Sequence, residues 1–239
     1  MDVDLARALD YPYPRPPGSY LFEIGSARAV PIDLAQLDLR GRHTVLAVGS
    51  NASPEQLARK FEGYGGDPAI PVLAVELIDH DVVYAATVAS YGAVPATLAP
   101  CEGTRVSVRA TLLDDDQLEL MNRSEALGRA YDLETLEAEL VGAPGLSPPL
   151  PLPISAYVAR SGPARRRGAS VALAAIPASG RNFAALSEAA VLGALAGREG
   201  IDVSEFVERA VLDASFRRAM NEKLRTNGIP AEPGGDQRL

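Results

Sequence analysis

The sequence predicts an α+β fold, a small mixed and mostly antiparallel β-barrel with peripheral helices and a helical C-terminal extension, and three observations carry that expectation. Strand-like runs of β-branched and apolar residues dominate residues 41 to 177. Helical segments interrupt those runs without the regular alternation of a βαβ protein. After Gly180 only helical patterns remain. The expected organisation is a proline-rich N-terminal arm over 1–40, a barrel over 41–180 and a helical extension over 181–239 packed on the barrel.

Taken in order, the arm carries "YPYPRPPGSYLF", whose prolines exclude a helix interior or a central strand, while Tyr11, Tyr13, Tyr20 and Phe22 offer apolar anchors. Thr44 to Val48 read as a short buried strand that runs into Gly49-Ser50-Asn51. Ser53 as N-cap, Pro54 at the first helical position and Gln56 completing a capping box then predict a helix beginning at Pro54. Strands are expected at Val72–Ile78, Val82–Val88, Thr104–Leu113, Ile154–Ala159 and Ser170–Ile176, with His80 in a turn between the first two. One helix should follow the Asp run at 114 to 116, and another should run from an Asp132 cap toward Gly142. Arg165 to Arg167 read as a solvated hairpin tip. In the extension, "LSEAAVLGALAG" is helical, and a capping box at Asp202 and Glu205 opens a helical stretch with a break near Asp213 and stop signals at Gly228 and Pro230. The last nine residues should fray.

Composition narrows the function classes. A chain of 239 residues, 47% hydrophobic and 23% charged, is long enough to bury a substantial globular core. No apolar run reaches the roughly 18 residues of a membrane span, and the N-terminus lacks the basic start and apolar segment of a signal peptide, so the expected compartment is the cytoplasm. The single Cys101 agrees with a reducing environment. A net charge of −8 argues against nucleic acid as a partner. Only Lys60 and Lys223 among 23 basic residues are lysine, a bias of the kind expected of a GC-rich bacterial genome. Two histidines, one cysteine and no HExxH or CxxC leave little for a metal site, and no Walker A, GxSxG or GxGxxG is present, so neither a metal nor another cofactor is expected.

Two stretches carry chemistry. The tight turn after Thr44–Val48 uses Gly49 for a backbone that a β-branched residue resists, and it presents the amides of Ser50, Asn51 and Ala52 near a positive helix end, a setting that suits a carboxylate or a developing oxyanion. An ordinary strand-to-helix turn has the same pattern. In "DDDQLELMNRSEALGRAY", Leu118, Met121 and Glu125 fall at i, i+3 and i+7. Nearly two turns separate Leu118 and Glu125, so a continuing helix places this glutamate on the apolar stripe, where desolvation favours its neutral form and suits general acid/base work. The alternative is a helix-end carboxylate in solvent or paired with Arg123 or Arg129.

The order of these pieces, namely the strand-to-"GSN" loop, the "GAVPATLAPCEGTRV" segment at 92–106, and the glutamate followed by Tyr131, resembles the gamma-glutamylcyclotransferase-like superfamily over residues 43 to 177. The family signature opens with Tyr-Gly-Ser-Asn and closes with a glutamate usually followed by glycine. Here Val48 stands at the tyrosine position and Ala126 at the glycine position. The resemblance implies a small barrel, no cofactor and a small gamma-glutamyl substrate whose own α-amine attacks its γ-carbonyl to give 5-oxoproline. It also implies Glu125 as acid/base, Gly49, Ser50 and Asn51 as the substrate loop, and Tyr131 as a pocket wall. The two departures alter that pocket, and a non-catalytic binding or scaffold protein on the same fold is the alternative reading.

Overall fold

The computed structural model describes residues 5–142, 146 and 149–230. The arm contains a short helix α1 (Leu5–Leu9) and a hairpin of β1 (Tyr20–Glu23) and β2 (Arg28–Val30). Next come β3 (His43–Ala47), a 3₁₀ turn (Ser50–Ala52), α2 (Pro54–Lys60), and two long strands, β4 (Ala69–Tyr84) and β5 (Ala96–Leu113). Helix α3 (Asp115–Ser124) leads to β6 (Tyr131–Thr135), β7 (Leu140–Val141) and β8 (Ile154–Ala159). Short strands follow: β9 (Arg165–Arg166), β10 (Ala169–Ser170), β11 (Ala172–Leu173), β12 (Ala178–Ser179) and β13 (Ala185–Leu186). Helices α4 (Glu188–Glu199), α5 (Val203–Leu212) and α6 (Ala214–Asn227) complete the described chain.

The β4–β5 hairpin is the spine. Its antiparallel register shifts between Ile78 and His80, so the two strands expected on either side of His80 form one strand with an irregularity, and His80 lies within it rather than in a turn. The outer edge of β4 is covered in succession by β1, β7 and β11, and the free side of β5 by β3 and β12. Beyond β3 the sheet continues through a parallel pair with β8 and an antiparallel pair with β6. The resulting order, β13-β11-β4-β5-β3-β8-β6, is mostly antiparallel and open: no pairing among the described residues joins its ends, so the expected barrel is not closed.

Helices do the covering that closure would otherwise do. Alternate side chains of the central strands enter two cores on opposite faces. Leu46, Leu73 and Leu112 join Leu192, Phe206, Val207 and Met220 of α4–α6 on one face, and Val45, Val72 and Leu113 join Leu57, Phe61 and Met121 of the α2–α3 layer on the other. With apolar surface buried on both faces by helices, the sheet gains nothing further by curling on itself.

Two other expectations change, and the expected break near Asp213 is present. Within residues 132 to 142, β6 and β7 replace the expected helix, because β6 finds a full ladder on β8, from Tyr131 opposite Ala159 to Thr135 opposite Ser155, and this pairing overrides helical propensity. Helix α2 begins at Pro54 with Ser53 at its N-cap position, but the Ser53 side chain makes no capping bond: its amide closes the preceding 3₁₀ turn on Ser50, and its hydroxyl is buried without a partner. The break near Asp213 is a shared boundary, since Asp213 ends α5 and caps α6 by accepting the amides of Ser215 (2.7 Å) and Phe216 (3.1 Å). Residues 231–239, expected to fray, lie outside the described residues. No helix among the described residues is long and apolar enough to cross a membrane.

Candidate functional site

The strand-to-helix loop forms one wall. Gly49 has φ −124°, so positive φ is not what demands glycine there. Close approach is: a Cβ at Gly49 would lie 2.4 Å from the Tyr11 hydroxyl and 3.1 Å from Ala96 Cβ. The arm thus threads Tyr11 against the loop, where its hydroxyl accepts the Ala96 amide at 2.7 Å. Tyr20 braces the same loop from β1 by donating to the Ala52 carbonyl at 3.0 Å.

The opposite wall is the end of α3. A complete capping box at Asp114 and Gln117 starts this helix, and Ser124 ends it. Glu125 is therefore the C-cap rather than a member of the apolar stripe, and the next residue, Ala126, turns the chain with φ +51°. The Glu125 side chain is only 13% exposed and is met by two donors. Asn51 Nδ2 donates to Oε1 at 2.7 Å, and the Lys60 ammonium, from the last turn of α2, forms an ion pair with the same oxygen. Its partners are thus neither apolar nor the nearby arginines 123 and 129. Lys60 is itself 9% exposed and contacts Met121 Sδ at 3.5 Å. Helix α2 thereby delivers the Gly-Ser-Asn loop at one end and the cation at the other, both to one carboxylate.

Between these walls lies a cavity of about 610 Å³. Gly49, Ser50, Asn51, Glu125 and Tyr131 line it together, whereas Ala52 does not: it is fully buried beneath the loop, and its amide turns inward to the Gly49 carbonyl at 3.3 Å. Tyr131 opens β6, and burial followed by the Glu125 charge pushes its hydroxyl well above the ordinary tyrosine range. Burial does the same to Tyr11 and Tyr157, so all three hydroxyls stay protonated and can donate. Tyr157 donates to Asn122 at 2.6 Å.

Several lining residues escape a reading of the sequence. Lys60, Tyr11 and Tyr157 are among them, together with Arg129 and Arg160 near Tyr131 and with Asn221 and Arg225 from α6. Asn221 accepts the Val88 amide at 2.6 Å, which docks α6 on the cavity wall. Lys60 had one available signal, its rarity in a chain that otherwise uses arginine. The contributions of the arm and of α6 had none, since both lie far in sequence from the loop. Val48 also lines the cavity, so the wall at that position is aliphatic and the hydroxyl beside Gly49 belongs to Tyr11.

No family model matches the chain, and no curated protein matches it in sequence. Among solved structures it is similar to an uncharacterized protein from Homo sapiens, at 13% identity and a TM-score of 0.40 over 84% of this chain and 94% of that one. It is also similar to a gamma-glutamyl cyclotransferase, at 12% identity and a TM-score of 0.36 over 82% of this chain and 92% of that one.

Proposed function

We propose that the chain is a gamma-glutamylcyclotransferase-type enzyme that cleaves a gamma-glutamyl amine or peptide by intramolecular aminolysis. The observation that carries the reading is the pairing, across one cavity, of the Glu125 carboxylate with the Gly-Ser-Asn loop through Asn51. In the reaction the substrate's α-amine bonds to its own γ-carbonyl carbon, the γ-amide C–N bond breaks, and 5-oxoproline and a free amine leave. The nucleophile is already attached to its target, so the protein has to hold the substrate folded and move protons. Glu125 takes the proton lost by the α-amine and returns it to the departing nitrogen. Lys60 keeps the carboxylate oriented. An ammonium has three donors; Glu125 and Met121 engage two, which leaves one for the carbonyl oxygen as negative charge develops on it. Arg129 on the cavity wall favours a substrate that carries a carboxylate, whereas Arg160 and Arg225 are paired with Asp132 and Glu222.

The test is direct detection of 5-oxoproline by mass spectrometry from a panel of gamma-glutamyl amines and peptides. Glu125→Gln keeps the shape but cannot exchange protons near neutral pH, and loss of a positioned acid/base should lower kcat by about 10²- to 10⁴-fold. Parental turnover in Glu125→Gln removes Glu125 from the chemistry. One observation favours the second reading, a binding protein: the Lys60 ion pair already occupies the carboxylate that catalysis needs. Calorimetric binding of gamma-glutamyl compounds without product in the parent selects that reading.

A further inference from the structure

A second cavity, of about 700 Å³, lies under the proline-rich arm. Its wall combines the arm with Ser107 and Arg109 of β5 and with the start of α4, and Tyr11 lines both this cavity and the first. Two guanidinium groups meet here. Arg109 is 4% exposed, and Arg15 comes from the arm, where burial and then the Arg109 charge lower its basicity. Every partner of the pair is a backbone carbonyl. Arg109 donates to Pro16 and Pro17 at 2.8 Å and to Val108 at 3.1 Å, while Arg15 donates to Ala175 at 3.4 Å. Among the described residues neither arginine has a carboxylate partner, and Arg109 Nε is buried with no acceptor at all.

Carbonyl dipoles and water can satisfy N–H groups, but they leave two neighbouring like charges uncompensated in a desolvated setting. A negative charge between them relieves both deficits. The acidic residues of the wall do not provide it. Asp10 is solvent-exposed. Glu188, 4% exposed, gives one oxygen to the Val94 amide at 2.7 Å and leaves Oε2 buried and unpartnered. Burial raises the Glu188 pKa to about 8, so near neutral pH it offers a hydrogen-bond donor rather than a repelling charge.

We propose that this cavity is a binding site for a small oxyanion, a carboxylate or phosphate group, held between the guanidinium groups of Arg15 and Arg109. Occupancy bears on the first cavity through the arm. Tyr11 abuts Gly49, and Tyr20, whose ionisation both arginines influence, holds the Ala52 carbonyl of the loop. An anion that fixes the arm therefore also fixes one wall of the gamma-glutamyl site.

Calorimetric titration of the full chain with inorganic phosphate, and separately with glutarate, in a cationic buffer tests the proposal without reference to turnover. Saturable one-to-one uptake is expected, weakened tenfold or more by Arg15→Met; Arg15 is half-buried and its one hydrogen bond is long, so this variant should fold. Arg160→Met, which changes only the first cavity, should leave phosphate uptake and the Arg15-dependent part of glutarate uptake intact. Tighter phosphate binding supports a phosphorylated ligand, and tighter glutarate binding an organic acid. Absence of heat with both anions overturns the site, as does parental affinity in Arg15→Met or loss of binding in Arg160→Met alone.

Discussion

Ala126 adopts φ +51°, a left-handed conformation directly after Glu125. For a residue with a Cβ this costs about 1–2 kcal/mol, whereas glycine adopts it without that penalty. Glycine gives part of that gain back through the entropy of the unfolded chain. Ala126→Gly should therefore stabilise the protein by about 0.5–1 kcal/mol, read from urea unfolding at constant m, and should leave Glu125 in place. A destabilised Ala126→Gly would mean that the alanine methyl packs in a way that outweighs its backbone strain. At Gly49 the constraint is different: φ is negative, and the missing side chain makes room for Tyr11.

Helix α4 illustrates how one element carries a pH dependence. Ser187 caps it by accepting the Ala190 amide at 3.2 Å, and Glu188 begins it. A carboxylate in a first helical turn is ordinarily favoured by the helix dipole. Here burial wins, and the Glu188 carboxyl is pushed from its ordinary range up to about 8. The folded protein binds this proton more tightly than the unfolded chain does. The contribution to stability is therefore fully present below about pH 4.5 and is lost as pH rises through about 8. Glu188→Gln carries no such proton, so its melting temperature relative to the parent should climb between pH 5 and 9, in thermal unfolding followed by circular dichroism. A difference that stays flat across that range would show that Glu188 titrates as an ordinary carboxyl group.

At the scale of the molecule, the terminal segments are structural members of the sheet assembly. The larger core joins Ala8 and Tyr11 of the N-terminal region, Leu73 and Val108 of the hairpin, and Val191, Phe206 and Met220 of α4–α6. A chain truncated at Arg181 loses the cover of one whole sheet face and the Asn221 bond that closes the first cavity. Loss of cooperative unfolding, with dye-detected apolar exposure, is expected for that truncation. Unchanged melting and solubility would mean that the sheet is covered without the helices.

Local chemistry made much of this molecule readable from its residues. The start of α2 follows from Pro54, the start of α3 from the Asp run at 114 to 116, the cap of α5 from Asp202, and the extent of β8 from the apolar run Ile154–Ala159, because each depends on neighbours a few residues away. The same holds for the prominence of Gly49-Ser50-Asn51 and Glu125, which stand out by type and order. What depended on partners distant in sequence was decided only by tertiary packing. Within residues 132 to 142 strands replace the expected helix because β6 meets β8 and β7 meets β4. The sheet remains open because helices from the end of the chain bury its face. Glu125 leaves the apolar stripe because α3 stops at Ser124, and it is matched by Lys60 and Asn51, more than sixty residues upstream. Periodicity reports which side of an element is apolar; which charge arrives to meet a buried carboxylate is set by the path of the whole chain.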